Sequence, residues 1–402
     1  MRVANAGSCC VLIGWILYDA LGRNVFGRTP WPESVVDYRI MYKQSSKIAE
    51  VLTYDPAQIF PYAPPAVLFF ALSAVPRFAI AAAIWLALLT ASAIGVFVLG
   101  TRLVGLHQSP ARWIVALLTY VVTNNYFQWD LRSVNCNSVY AVLLVGAMLG
   151  VVRGRNAWGG VMLAASIAIK LYPILALPYL AWAKKWRAAF ATGAVLFALF
   201  ILLPVGYAGA GGTTRLYESW LEQLRLATAT DLSDHPILIS IPHGLAKVFG
   251  AESAQAVWIA RGAKAIWIGA VGICLLSGGI GRSRPRSGWD LCVDAFALVL
   301  LPVVISPYLE SYHAVVAAPP ILALLAYGVQ KPEDLRRLLF AVFIVLAGWC
   351  LLYVFGKWRL RGLGVLLQMT LVFLGLAVAR VEMRKRAKLE SQISSDPRPM
   401  PV

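Results

Sequence analysis

The chain has 402 residues, 59% of them hydrophobic and only 14% charged, with a mean hydropathy of +0.70. Soluble domains carry about 45–50% apolar and about 25% charged residues, so this composition excludes an ordinary soluble enzyme, a disordered chain and a nucleic-acid-binding domain. Thirty-six Lys and Arg against nineteen Asp and Glu give a net charge of +17, and the basic residues fall in short clusters between long apolar runs, the pattern that the positive-inside rule produces.

A bilayer core of about 30 Å needs about 20 apolar residues in helical form. The first run, at about 4–21, reads as an uncleaved helix, because no apolar region precedes Cys9 and no small-residue cleavage site follows the run. The six cysteines show no CxxC spacing and read as small hydrophobes. A long polar segment follows, at about 22–77. Within it, Val36, Ile40, Ile48, Val51 and Leu52 alternate with polar residues as in a helix over Val35–Leu52 lying along a membrane surface. Pro61, Pro64 and Pro65 then stop any helix and turn the chain back. The stretch 66–76 is too short to span, and a re-entrant segment must be buried in protein.

Further spans are expected at about 78–101, 111–125, 138–152, 188–207, 256–280, 291–306, 313–329, 336–355 and 362–380. The stretch 157–182 is interrupted by Lys170 and Pro173 and reads as two short helices that break at Lys170-Leu171-Tyr172-Pro173. The sum is an all-α polytopic membrane protein of about twelve transmembrane helices, a single domain over 1–380, with a second long loop at about 208–255. The basic tail 381–402 is expected to be disordered. Arg102, Arg112, Arg153, Arg155, Lys184, Lys185, Arg187, Arg282, Arg284, Arg286, Lys331, Arg336, Arg337 and the tail fall on one side, expected to be cytoplasmic. Lys357, Arg359 and Arg361 run against that pattern. Both long loops then face outward from an inner membrane, toward the periplasm or exterior.

Asp37 starts the surface helix near the water–lipid boundary, where a carboxylate is costly unless it is solvated or paired. Arg39 or Lys43 could pair with it; alternatively it is a general base for a hydroxyl. Glu33, four residues earlier and on the same helical face, is the second choice of base. Lys170 interrupts an apolar hairpin and must snorkel, face a cavity or meet an anion such as a lipid phosphate. In Ser306-Pro307-Tyr308-Leu309-Glu310-Ser311-Tyr312-His313, the side chains of Glu310 and His313 could hydrogen-bond a polar ligand. Asp231, Asp234, His235 and His243 match no zinc or paired-carboxylate spacing and the chain has no DxD, so no metal is expected there.

Three segments together, in this order, resemble the GT-C membrane glycosyltransferases and within them glycosyltransferase family 87. They are VVDYRIMYK followed by the Tyr62/Pro64/Pro65 turn, IAIKLYPILALPYL followed by KKWRAA, and SPYLESYH. The family's K-x-x-P hairpin and basic turn align with Lys170, Pro173, Lys184, Lys185 and Arg187, and its S-P…H connection with Ser306, Pro307 and His313. The chain departs from the family at Val134-Asn135-Cys136-Asn137, where G-Q-x-N is often found, and at Asp234-His235-Pro236, where an N-Q-S-like triplet is often found.

The resemblance implies transfer of a hexose, typically mannose, from a polyprenyl-phosphate carrier to a lipid or glycan hydroxyl at the outer face, with no cofactor and no metal. Asp37 matches the catalytic aspartate. A developing phosphate charge would be met by Lys170, Arg39 or Arg132, and Tyr62, Asn135, Asn137, Glu310 and His313 are the expected substrate contacts. Tyr62, Trp129 and Tyr312 could also stack on sugar rings. The rival is a transporter or flippase of a lipid-linked glycan, which would show symmetry-related repeats; the sequence has no repeat of fixed period.

Overall fold

The structure is a computed structural model that describes residues 2–24, 36–54, 60, 62–73, 77–229, 254–277, 288–305, 311–330, 334–357 and 361–395. All regular structure among the described residues is helical, as expected. The chain opens with α1 (Arg2–Asn24), α2 (Val36–Val51), the short α3 (Pro64–Ser73) and the long α4 (Phe78–Leu103). The surface helix is therefore found where the apolar periodicity placed it. Pro64 and Pro65 do more than stop a helix: they begin α3, where a missing N–H costs nothing. Ala66, Val67 and Phe70 of α3 are fully buried, as a non-spanning segment requires.

α5 (Arg112–Ser133), α6 (Asn137–Val152) and α7 (Asn156–Ile169) follow. Two adjacent glycines let α7 press between its neighbours. A Cβ on Gly159 would lie 2.9 Å from the Ala147 carbonyl oxygen of α6, and one on Gly160 would lie 2.4 Å from that of Ala188 in the next long helix. Such close approach is how helices associate where lipid is as apolar as any side chain. α7 ends at Lys170, which is extended (φ −138°, ψ 126°), and a 3-10 turn over Tyr172–Leu175 leads into α8 (Ala176–Trp182). The hairpin breaks where the sequence indicated.

α9 (Trp186–Phe197) runs through a π-helical stretch, Ala198–Leu202, into α10 (Leu203–Ala229). The apolar run Trp186–Leu226 has 41 residues, about 60 Å if straight, or twice a bilayer core. It is not straight. Gly209 sits at φ 65°, ψ 174°, a conformation open essentially to glycine alone, and the Tyr217 hydroxyl donates to the carbonyl of Phe200. In a straight helix those two residues would be about 25 Å apart, so the chain doubles back at Gly209. Much of the loop expected at 208–255 is thus helix as far as Ala229; residues 230–253, with Asp231, Asp234, His235 and His243, lie outside the described residues.

The remaining helices are α11 (Ala254–Ser277), α12 (Gly288–Ile305), α13 (Ala318–Val329) preceded by a 3-10 stretch Ser311–Ala317, α14 (Leu335–Lys357) and α15 (Arg361–Ser395). Six runs among the described residues are long and apolar enough to cross a membrane, against the twelve expected. α6 and α7, with 16 and 14 residues, reach only about 24 and 21 Å, and α6 is buried along nearly its whole length. Interior helices packed on protein need not match the lipid thickness. The tail also departs from expectation, since α15 continues past Arg380 to Ser395. Arg380, only 2% exposed, donates to Asp290 (2.9 Å) and pairs with Asp294 (2.6 Å), both on α12. Glu382 accepts from Arg337 of α14 at 3.0 Å.

Candidate active site

The C-terminal end of α5, the N-terminal ends of α2 and α6 and the break after α7 meet at one end of the bundle. The turn from α5 to α6 is three residues long and strained: Val134 adopts φ 52°, ψ 51°, which costs a β-branched residue about 1–3 kcal/mol. Asp130 holds it there. Fully buried in the last turn of α5, its carboxylate accepts from the backbone N–H and Nδ2 of Asn137 (3.1 and 2.8 Å) and from the N–H and hydroxyl of Ser138 (2.8 and 2.6 Å). Two of these bonds cap the free N–H groups at the start of α6, and two hold its first side chains.

The tight turn aims the buried Asn135 side chain toward α2. Its Nδ2 donates to Asp37 Oδ2 at 2.8 Å, and its Oδ1 accepts from the Tyr62 hydroxyl at 3.0 Å and from the Cys136 N–H at 2.7 Å. The Trp85 indole of α4 donates to the Asn135 carbonyl at 2.9 Å, so both ends of the residue are fixed. The Lys170 ammonium lies 5.3 Å from the centre of the Tyr62 ring and 2.7 Å from His313 Nε2. An ammonium only donates, so Nε2 accepts and the imidazole proton belongs on Nδ1. His313 is 6% exposed, and its ring meets that of Tyr172 edge-on at 6.3 Å.

Asp37 is half-buried. Burial raises its pKa, while the Asn135 hydrogen bond and the Lys170 charge lower it; the net direction is upward from the ordinary carboxylate value. A carboxylate in that state is a stronger base than a solvated one, and it stands beside a cation able to meet negative charge.

Of the residues singled out by sequence, Asp37, Tyr62, Asn135, Lys170 and His313 come together here. Arg39 and Arg132 turn to aromatic rings instead, at 5.8 Å from the centre of Phe78 and 5.3 Å from that of Trp129. Asn137 faces inward to Asp130 and is 0% exposed. Glu33 and Glu310 lie outside the described residues, as does the Tyr312 side chain. Sequence reasoning passed over Asp130, Trp85 and the α10 residues that grip the α2–α3 connection. Asp130 carries a local signal, an acid seven and eight residues before an Asn-Ser helix start; the others depend on contacts across 50 residues or more.

A carboxylate, an amide and an ammonium assembled at one end of long apolar helices define a multi-pass membrane protein with a polar reaction site. The model of glycosyltransferase family 87 matches residues 60–307, more than half of the chain, and the chain belongs to that family. It is a glycosyltransferase, acting between a sugar donor and an acceptor. No curated protein and no solved structure matches it. The matched residues include Tyr62, Asn135 and Lys170 but stop short of Asp37 and His313; those two join the site through the fold.

Proposed function

We propose that the protein transfers a hexose, mannose as the first choice, from a polyprenyl-phosphate carrier to a hydroxyl of a lipid or glycan, with Asp37 as general base. The observation that carries this reading is the Asp37 carboxylate, fixed by Asn135 with Lys170 close enough to act on its charge. A prenyl chain stays in lipid, so its sugar is delivered at the membrane boundary, beside a surface helix such as α2.

In the proposed step the acceptor oxygen attacks the anomeric carbon and its proton passes to Asp37. The bond from that carbon to the phosphate oxygen breaks, leaving the polyprenyl phosphate with one further negative charge. Lys170, oriented by His313, meets that charge. A single displacement of this kind inverts the anomeric centre and needs no metal. Arg337 lies in the first turn of α14, and Arg380 and Arg384 pair with Asp290 in the first turn of α12; this basic cluster, apart from the Asp37 contacts, supports a cytoplasmic placement for it and an outer placement for the site.

The test is hexose transfer in vesicles supplied with polyprenyl-phosphate mannose and envelope lipids. Asp37→Asn is expected to fold and to lose at least about a hundredfold in turnover; unchanged turnover overturns the assignment of the base. Lys170→Ala is expected to weaken donor binding more than acceptor binding. Mass spectrometry of envelope glycolipids with and without the protein identifies the product that loses a hexose.

A further inference from the structure

One tyrosine links the halves of the site. Tyr62 donates to Asn135, which holds Asp37, and its ring lies under the Lys170 ammonium. The chain around Tyr62 is held from outside by α10. Ser219 Oγ accepts from the Tyr54 N–H at 2.8 Å, and Gln223 Oε1 accepts from the Phe60 N–H at 2.9 Å. Tyr54 completes the link by donating its hydroxyl to the Tyr62 carbonyl at 2.8 Å. The Phe60 ring packs on that of Tyr62 at 4.9 Å.

α10 is shaped for this contact. Its outer part reaches the connection only because the chain doubles back at Gly209. Gly212 then lets it close on Leu52, whose Cδ1 would lie 2.9 Å from any added Cβ. Gln223 is 2% exposed on a helix where its neighbours Glu222 and Arg225 face out. A buried amide is costly unless it is used, and here it is used on a backbone 163 residues away.

We propose that Gln223 and Ser219 are positioning residues for the transfer, gripping Tyr54 and Phe60 so that Tyr62 holds Asn135 against Asp37 and supports Lys170. The proposal rests on the reading of Asp37 as the base, and its test separates the two. With the grip lost, Tyr62 withdraws, Asn135 loses one of the bonds that orient its amide, and the lysine loses the ring beneath it.

Cys136 reports this movement without any assay of activity. Its Sγ lies 3.4 Å from the Tyr62 hydroxyl and the residue is 0% exposed. The experiment uses the full chain in vesicles, with Cys9, Cys10 and Cys350 changed to Ser, and a small methanethiosulfonate reagent whose site of attachment is read by mass spectrometry. Cys136 is expected to stay protected in that background and in Gln223→Glu and Ser219→Thr, which keep the accepting oxygens. In Gln223→Met combined with Ser219→Ala, its labelling rises several-fold. The KM for polyprenyl-phosphate mannose rises about fivefold in the same double variant, the size of one lost neutral hydrogen bond, and returns toward the starting value in the conservative variants.

Protection of Cys136 that is unchanged in the double variant overturns the proposal. So does equal labelling in Gln223→Glu, which would mark general loosening rather than a specific grip. If Asp37→Asn retains turnover, the base assignment fails while the labelling result still decides whether α10 grips the site.

Discussion

At Asp37 the same burial that strengthens a base also works against folding. With the carboxyl pKa raised by desolvation and only partly restored by Asn135 and Lys170, the acid limb of kcat/KM is expected above the ordinary carboxylate range, activity falling as the pH is lowered through it. Asn135→Ala removes an influence that lowers the pKa, so the limb moves to higher pH; a limb that stays in place means that Asn135 does not act on the base. A raised folded-state pKa also means that this group's contribution to stability is fully present below its unfolded-state pKa and is lost as the pH rises through the folded one. Asp37→Asn, which keeps the shape without the charge, is therefore expected to melt higher than the parent protein at neutral pH, with the difference vanishing in acid. Thermal unfolding in detergent at two pH values checks it.

At the scale of elements, position along the chain decided what could be read from sequence. α2 and the break at Lys170 were legible because each has a local cause: apolar spacing in one, a lysine and a proline inside an apolar run in the other. The fold-back at Gly209 was not, because glycine is common in membrane helices and nothing beside it announces that Tyr217 will return to Phe200. Asn135 was legible only as a departure from a motif; its role follows from Asp130 and Val134, which set the turn. The Gly159-Gly160 pair is local in sequence and long-range in effect. Gly160→Val places a side chain where the Ala188 carbonyl already lies, so α7 must move off α9. That variant is expected to lose about 2–3 kcal/mol of stability and, because Lys170 ends α7, to lower turnover even in the fraction that remains folded. Gly193→Ala on α9, where an added Cβ meets nothing within 4 Å, is the control and is expected to leave turnover unchanged and stability unchanged or raised by up to about 1 kcal/mol.

Across the whole molecule, the polar groups that link distant helices lie in buried networks well separated in sequence. Near the site end, Asp19 of α1 accepts from Tyr120 (2.6 Å), Asn124 (2.7 Å) and Gln128 (3.2 Å), which rise along one face of α5. Away from Asp37, Arg380 joins α15 to Asp290 and Asp294 of α12 and to the Cys274 carbonyl of α11, while Tyr179 of α8 donates to Asp294 at 2.6 Å. Three helices meet at one guanidinium that is 2% exposed, and a fourth, α8, reaches the partner carboxylate, which is 0% exposed. A buried ion pair adds little over a well-packed apolar pair, yet removing one member strands the other charge. Arg380→Met is therefore expected to cost about 3–5 kcal/mol, read as a lower melting temperature in detergent. Asp290 keeps its pair with Arg384 at 2.5 Å, so adding Asp294→Asn removes the stranded charge and is expected to recover a substantial part of that loss. Recovery would identify charge burial as the cause of the loss. A double variant no more stable than Arg380→Met would instead place it in packing between α15 and α12. Either way, the folded fraction of these variants is expected to keep its donor KM, because Arg380 contacts none of the residues that hold Asp37, Asn135 and Lys170 together.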